Sequence, residues 1–257
     1  MMDDFVSVTE LSGDSVTEEQ VERMVHRYQW ASKFCVDKDV LEVGCGTGQG
    51  LGLFLKVSNS VEAGDYSEEL LSVPIKYYGD QVKLQQFDAQ SMPYKDSSKD
   101  VIVLFEAIYY VPDASKFVAE CRRILRPNGI ILIASANKEL EDFNPSPHSF
   151  KYYNCLELQE LFSEFGFQSQ CFGYMEIPKD QLKNKITRFL KRIAVSYGLM
   201  PKTMAGKKFL KRFVFGKLVP MPYEVLGDEF DYNEPTKIDR QYCENKFKVI
   251  YCAAEII

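Results

Sequence analysis

Three glycines spaced two apart, Gly44, Gly46 and Gly48, follow the apolar run Val40-Leu41-Glu42-Val43, and a new helix-forming segment opens straight after them. Glycine has no Cβ, so the backbone at these positions can take positive φ and meet a ligand at contact distance. The helix beyond offers N–H groups that have no partner inside the helix. A strand-turn-helix of this kind is a cofactor seat, and the spacing narrows which cofactor it takes. A dinucleotide fold requires G-x-G-x-x-G; counted from Gly44 the third position is Gln49, and counted from Gly46 it is Leu51. A phosphate-gripping loop ends in Gly-Lys-Ser/Thr, a tripeptide this chain lacks. What remains is E-x-G-x-G-x-G, from Glu42 to Gly48, with Cys45 as a small side chain inside the turn.

Further acids fall at the ends of later apolar runs. Ser60-Val61-Glu62-Ala63-Gly64-Asp65-Tyr66 ends in an acid 21 residues beyond Gly44, and Val82-Lys83-Leu84-Gln85-Gln86-Phe87-Asp88-Ala89 ends in another. A carboxylate can accept two hydrogen bonds from a vicinal diol, and charge-assisted bonds are the stronger kind. Arg122-Arg123-Ile124-Leu125-Arg126-Pro127-Asn128-Gly129-Ile130 then runs from a helix through R-x-L-x-P-x-G into a strand. With these four motifs in order, residues 38 to 175 resemble the class I S-adenosylmethionine-dependent methyltransferases, in the subgroup that acts on small molecules. The resemblance implies S-adenosylmethionine as cofactor, held by Glu42, Gly44, Cys45, Gly46, Gly48, Asp65 on the ribose, Tyr66, Asp88 and Ala89 beside the adenine, and Phe105. It implies no metal.

Alternating strand and helix patterns predict a doubly wound, mostly parallel sheet with helices on both faces. Strands are expected near 40–45, 60–66, 82–87, 100–106, 129–136, 168–174 and 247–255, and the family pattern orders them 3-2-1-4-5-7-6. Residues 1–257 are read as a single methyltransferase domain. It carries an N-terminal helical cap over 1–37, entered through the capping-box pattern Thr17-Glu18-Glu19-Gln20, and a basic helical insert or lid over 176–245. Ligands of such sheets sit outside the carboxyl ends of the strands. That places Glu106, Tyr109, Tyr110 and Asn137 around the acceptor, with Tyr28 on the N-terminal helix as a further pocket residue.

Methyl transfer needs little covalent help, because approach and orientation supply most of the acceleration. A hydroxyl acceptor also benefits from a base. His148, on the proline-stiffened loop Phe143-Asn144-Pro145-Ser146-Pro147-His148, and Glu106 are the candidates; His26, the other histidine, reads as a packing residue of the first helix. The expected acceptor is a polar, sugar-like or natural-product hydroxyl. A cofactor-binding module without turnover and a nicotinamide-dependent oxidoreductase are the two other classes open to the residues.

Between Pro178 and Lys217 the chain has twelve Lys or Arg and one acid, Asp180, a local charge of +11 in a protein of net charge −6. Ile186, Phe189, Leu190 and Ile193 recur at helical spacing within it. The segment reads either as a lid with a solvated basic face or as a surface for anionic groups, such as a phosphorylated or lipid-linked substrate or a membrane surface. The acidic remainder argues against nucleic acid. No apolar stretch approaches 18 residues. The N-terminal residues lack a secretory pattern, and the seven cysteines show no metal spacing, so a cytoplasmic protein with reduced thiols is expected. Oligomeric state leaves no trace in the sequence.

Overall fold

The computed structural model describes residues 5–177, 218–239 and 245–257. The chain enters through a short 3-10 turn, Phe5–Ser7, and strand β1 (Ser15–Val16). Helix α1 (Glu18–Cys35) follows, and its start is fixed by a capping box in which Thr17 and Gln20 each accept from the other's backbone N–H. Then come β2 (Asp39–Val43), α2 (Leu51–Val57), β3 (Ser60–Asp65), α3 (Glu68–Tyr78), β4 (Lys83–Gln86), β5 (Lys99–Phe105), α4 (Ala114–Ile124), β6 (Leu125–Ala136), α5 (Cys155–Ser163) and β7 (Phe167–Glu176). The chain closes with β8 (Val219–Pro220), β9 (Thr236–Lys237) and β10 (Phe247–Ile256).

The central sheet has eight strands in the order β4-β3-β2-β5-β6-β10-β7-β9. Strands β4, β3, β2, β5 and β6 run parallel, and β10 lies antiparallel between β6 and β7. This is the expected seven-strand order with one addition, the two-residue edge strand β9, which pairs with β7 through Phe172 and Gly173. The fifth strand also starts earlier than the sequence pattern shows, at Leu125, because Lys99 on β5 already pairs with Leu125 before a register shift at Pro127-Asn128-Gly129.

Alternation along the strands divides the core between the two faces. On β5, Ile102 and Leu104 face α4 and α5, while Val101, Val103 and Phe105 face α1, α2 and α3; on β10, Ile250 and Cys252 oppose Val249 and Tyr251 in the same way. Such near-continuous apolar strands are the mark of a sheet buried on both sides. The six described cysteines are buried free thiols.

The insert expected to be helical is not so in its described part. Residues 218–239 hold only β8, paired antiparallel with β1, and β9. Pro220, Pro222, Gly227, Asp228, Asp231, Asn233 and Pro235 favour turns over helix here. The basic stretch 178–217, with its helical periodicity, lies outside the described residues. Residues 218–239 are tied to α1 by His26, whose ring is buried, stacked on Tyr174 at 3.4 Å between centroids, and bonded to the Tyr251 hydroxyl (2.9 Å) and the Asn233 carbonyl (2.6 Å). Burial holds its pKa below the usual histidine value, so this histidine packs as a neutral ring.

Candidate functional site

The carboxyl ends of β2, β3, β4 and β5 open into a cavity of about 440 Å³. Its floor is the glycine turn. Gly44, Gly46 and Gly48 all have positive φ, at 69°, 55° and 75°, where an L side chain is strained. Gly44 and Gly46 line the cavity together with Cys45. Gly48 sits behind the turn, where an added Cβ would come within 2.7 Å of Pro74 Cβ, so its structural duty is to let α3 pack close.

Asp65, at the end of β3, lines the cavity beside this turn. Its Oδ2 accepts from the Gly46 N–H at 2.8 Å and its Oδ1 from the Ser67 N–H at 2.9 Å. Burial raises its pKa, and the backbone N–H groups of Ser67, Gly46 and Tyr66 pull it back. Asp88 and Ala89 follow β4 on the same wall; Asp88 accepts from the Gln90 N–H at 2.8 Å. Tyr66 and Phe105 line the cavity too, with Tyr66 standing edge-on to Phe5.

Glu42 lies under the turn, fully buried. The Tyr28 hydroxyl donates to its Oε1 at 2.6 Å, while Oε2 has no partner among the described residues. Burial pushes this carboxyl up to about 7, against the pull of the Tyr28 hydroxyl.

The other end of the cavity is built by α1, the segment after β5 and the loop after β6. Glu106 holds the left-handed conformation, φ 51°, with its N–H donating to the Ala134 carbonyl at 2.8 Å. That conformation is uncommon outside glycine, and it turns the side chain off the strand end to the cavity wall. The Tyr109 hydroxyl donates to Glu106 Oε2 at 3.1 Å, and Arg27 stands 4.0 Å from Oε1. Burial, then the neighbouring Glu106, raises the Tyr109 pKa well above its usual value, so the phenol remains a donor. Tyr110, bonded to Ser146, completes this wall, whereas Tyr28, expected in the acceptor pocket, lines the cavity with its hydroxyl on Glu42 beneath the turn.

Two residues expected here lie elsewhere. His148 is exposed on its loop with φ 65° and does not line the cavity, although Ser146 and Phe150 on either side of it do. Asn137 is wholly buried and turned into the sheet, donating to the Phe247 carbonyl at 2.9 Å and accepting from the Glu139 N–H; it anchors the start of the loop. Conversely, Gln20, Arg23, Met24 and Arg27 of α1 line the cavity and were not singled out from the sequence. Their helical spacing was legible, but the direction in which that stripe faces was not.

The site fits S-adenosylmethionine on three observations of the structure. Gly44 and Gly46 present bare backbone, Asp65 is held by two N–H groups for use toward the cavity, and Glu42 keeps an unpartnered carboxylate oxygen beneath the turn. No group of acids, histidines and cysteines able to hold a metal occurs among the described residues.

A doubly wound sheet with this turn and this acid defines an adenosine-cofactor-binding α/β protein. The family model described as a methyltransferase domain matches residues 41–133. A probable S-adenosylmethionine-dependent methyltransferase of Mycolicibacterium smegmatis is 34% identical over 148 residues, 55% of this chain and 56% of that protein. A ubiquinone biosynthesis O-methyltransferase of Pasteurella multocida is 31% identical over 117 residues, 40% of this chain and 48% of that one. The chain spans about half the length of the curated relatives it matches. Among solved structures, the YcgJ protein from Bacillus subtilis superposes with a TM-score of 0.59 at 17% identity, over 93% of this chain and 98% of the other, which shows a shared fold. Across its glycine turn and the strands that follow, the chain is thus similar to S-adenosylmethionine-dependent methyltransferases, and it shares its fold with the solved neighbour.

Proposed function

We propose that this protein transfers a methyl group from S-adenosylmethionine to a hydroxyl of a small polar, sugar-like or natural-product acceptor, with Glu106 as the base. The observation that carries this reading is the continuity of one cavity from the Gly44–Gly46 turn and Asp65 to the Glu106–Tyr109 pair. The name of the Pasteurella relative, an O-methyltransferase, supports oxygen as the acceptor atom.

The cofactor, when bound, supplies an electrophilic methyl on a sulfonium. Gly44 and Gly46 would hold it by backbone contact, and Asp65 by the ribose hydroxyls. Tyr28 and Phe105 supply aromatic walls to the same cavity. Glu106, on the cavity wall, is placed to take the acceptor's hydroxyl proton as the oxygen is methylated. Tyr109 fixes one oxygen of Glu106 and leaves the other for the proton. Holding two reactants in line can supply roughly 7 to 11 kcal/mol of the barrier, and a general base typically a further ~10²- to 10⁴-fold in rate.

The test is methyl transfer from labelled S-adenosylmethionine to a panel of hydroxyl compounds. For Glu106→Gln we expect turnover to fall by ~10²-fold or more, with little change in affinity for S-adenosylhomocysteine. His148→Ala should retain turnover near the parent's, given its place outside the cavity. A Glu106→Gln rate within about threefold of the parent would leave positioning as the whole source of the rate. Binding of S-adenosylhomocysteine with no transfer to any acceptor would make the protein a cofactor-binding module.

A further inference from the structure

Two guanidinium groups, Arg23 and Arg27, line the cavity at i and i+4 of α1. They stand in different surroundings. Arg27 lies over the rings of Tyr28 (5.6 Å) and Phe105 (6.0 Å), and its buried Nε has no hydrogen-bond partner among the described residues. Arg23 is one turn nearer the helix start and half-buried, and it makes no hydrogen bond or ion pair among the described residues. A guanidinium presents five N–H donors in a planar fork that matches a carboxylate or phosphate, and it stays charged at every relevant pH. The acids nearby are already engaged. Glu10 accepts from the Gln20 amide, and Glu106 from Tyr109, with Arg27 close by.

This inference rests on the methyltransferase reading above. The methionine part of S-adenosylmethionine carries one carboxylate, and Arg27, which lies over the Tyr28 ring whose hydroxyl reaches Glu42 beneath the turn, suits it. The second arginine is then left for the second ligand. We propose that Arg23 is the receptor for an anionic group on the acceptor, so that the substrate is a hydroxyl compound bearing a carboxylate or a phosphate. The anion on Arg23 and the proton-accepting Glu106 would grip the acceptor at two points, which sets which hydroxyl faces the methyl group.

The experiment uses the full chain saturated with S-adenosylhomocysteine and titrated calorimetrically with 3-hydroxybenzoate, 3-hydroxyphenyl phosphate and neutral 3-hydroxybenzamide. A charge-assisted pair lost from a partly enclosed site weakens binding by about 10- to 100-fold. We expect at least one of the anions to bind about tenfold or more tightly than the amide, and the two anionic arms tell carboxylate from phosphate. Arg23→Gln should remove that preference while leaving S-adenosylhomocysteine affinity within about twofold; Arg23→Lys, a point charge without the fork, should restore part of it. Arg27→Gln should instead weaken S-adenosylhomocysteine. Equal binding of amide and anions, no binding of any of the three at millimolar concentration, or a loss of S-adenosylhomocysteine affinity in Arg23→Gln matching that in Arg27→Gln overturns the assignment. The two possible failures separate: absent S-adenosylhomocysteine binding strikes the methyltransferase reading, whereas cofactor binding without anion preference strikes the role of Arg23 alone.

Discussion

Asp65 and Glu42 are both carboxyl groups within reach of the glycine turn, and their environments divide their duties. Asp65 lines the cavity with a backbone N–H on each oxygen, and these N–H groups partly offset the burial that raises its pKa. Asp65→Ala is expected to weaken S-adenosylhomocysteine by about 10- to 100-fold, because hydrogen bonds to a charged group are worth roughly 1.5 to 3 kcal/mol; calorimetric titration decides. Among the described residues Glu42 has a partner on one oxygen and none on the other, and its pKa rises from the ordinary 4.5 to about 7. A carboxyl raised on folding keeps its proton where the unfolded chain has released it, so the native state binds more protons between pH 4.5 and 7 and stability falls as pH rises through that window. Glu42→Gln cannot titrate. In the cofactor-free protein its stability should vary less over this window and exceed the parent's above pH 7, by at most roughly 3 kcal/mol. Urea midpoints at pH 5 and pH 8 check this, and an equal pH dependence in parent and variant would assign the slope to other groups.

At the scale of elements, the close approach of strand ends decides whether there is room for a ligand. Gly64 on β3 sits under Phe87, and an added Cβ would lie 2.1 Å from Phe87 Cε1 and 2.3 Å from the Gln85 carbonyl oxygen. The backbone oxygen cannot step aside as a side chain would, so Gly64→Ala must separate β3 from β4. Overpacking of this kind typically costs about 1 to 3 kcal/mol. Phe87 lines the cavity, so we expect a lowered melting temperature together with weakened S-adenosylhomocysteine binding; a variant with parental values for both would show that the strands yield freely. Helix α1 shows a second consequence of packing. Val25, Ala31 and Cys35 seat it on the sheet, and that seating turns Gln20, Arg23 and Arg27 to the cavity. Its capping box and length were legible because both are local, whereas its rotation depends on the sheet surface beneath it.

For the whole molecule the distribution of charge is the distinctive property. Twelve basic residues and one acid between 178 and 217 stand against a net charge of −6, and no helix among the described residues is long and apolar enough to cross a membrane. We propose that the basic stretch serves anionic partners by many weak Coulomb contacts, each worth about 1 kcal/mol near an anionic surface and screened over ~8 Å at physiological salt. The protein should then co-sediment with anionic vesicles at low salt, and release at high salt or on changing Lys207, Lys208, Lys211 and Arg212 to Gln. If the parent ignores anionic vesicles at low salt, the stretch has no such partner.

What the amino-acid sequence determined by itself was the succession of elements and the cofactor turn. Both are written in short-range patterns: alternation along strands such as Val101–Phe105, the Thr17 and Gln20 cap, and glycines at positions whose φ must be positive. Only the tertiary structure decided which side chains meet. Glu106 joins Arg27 across 79 positions of chain, and His26 joins Tyr251 across 225. His148, chosen for its chemistry, is exposed and lies off the cavity that Ser146 and Phe150 line, and Asn137 is spent on holding β6 to β10. A loop's path and a helix's rotation are set by the surfaces they pack against, and those surfaces are assembled from residues far apart in the chain.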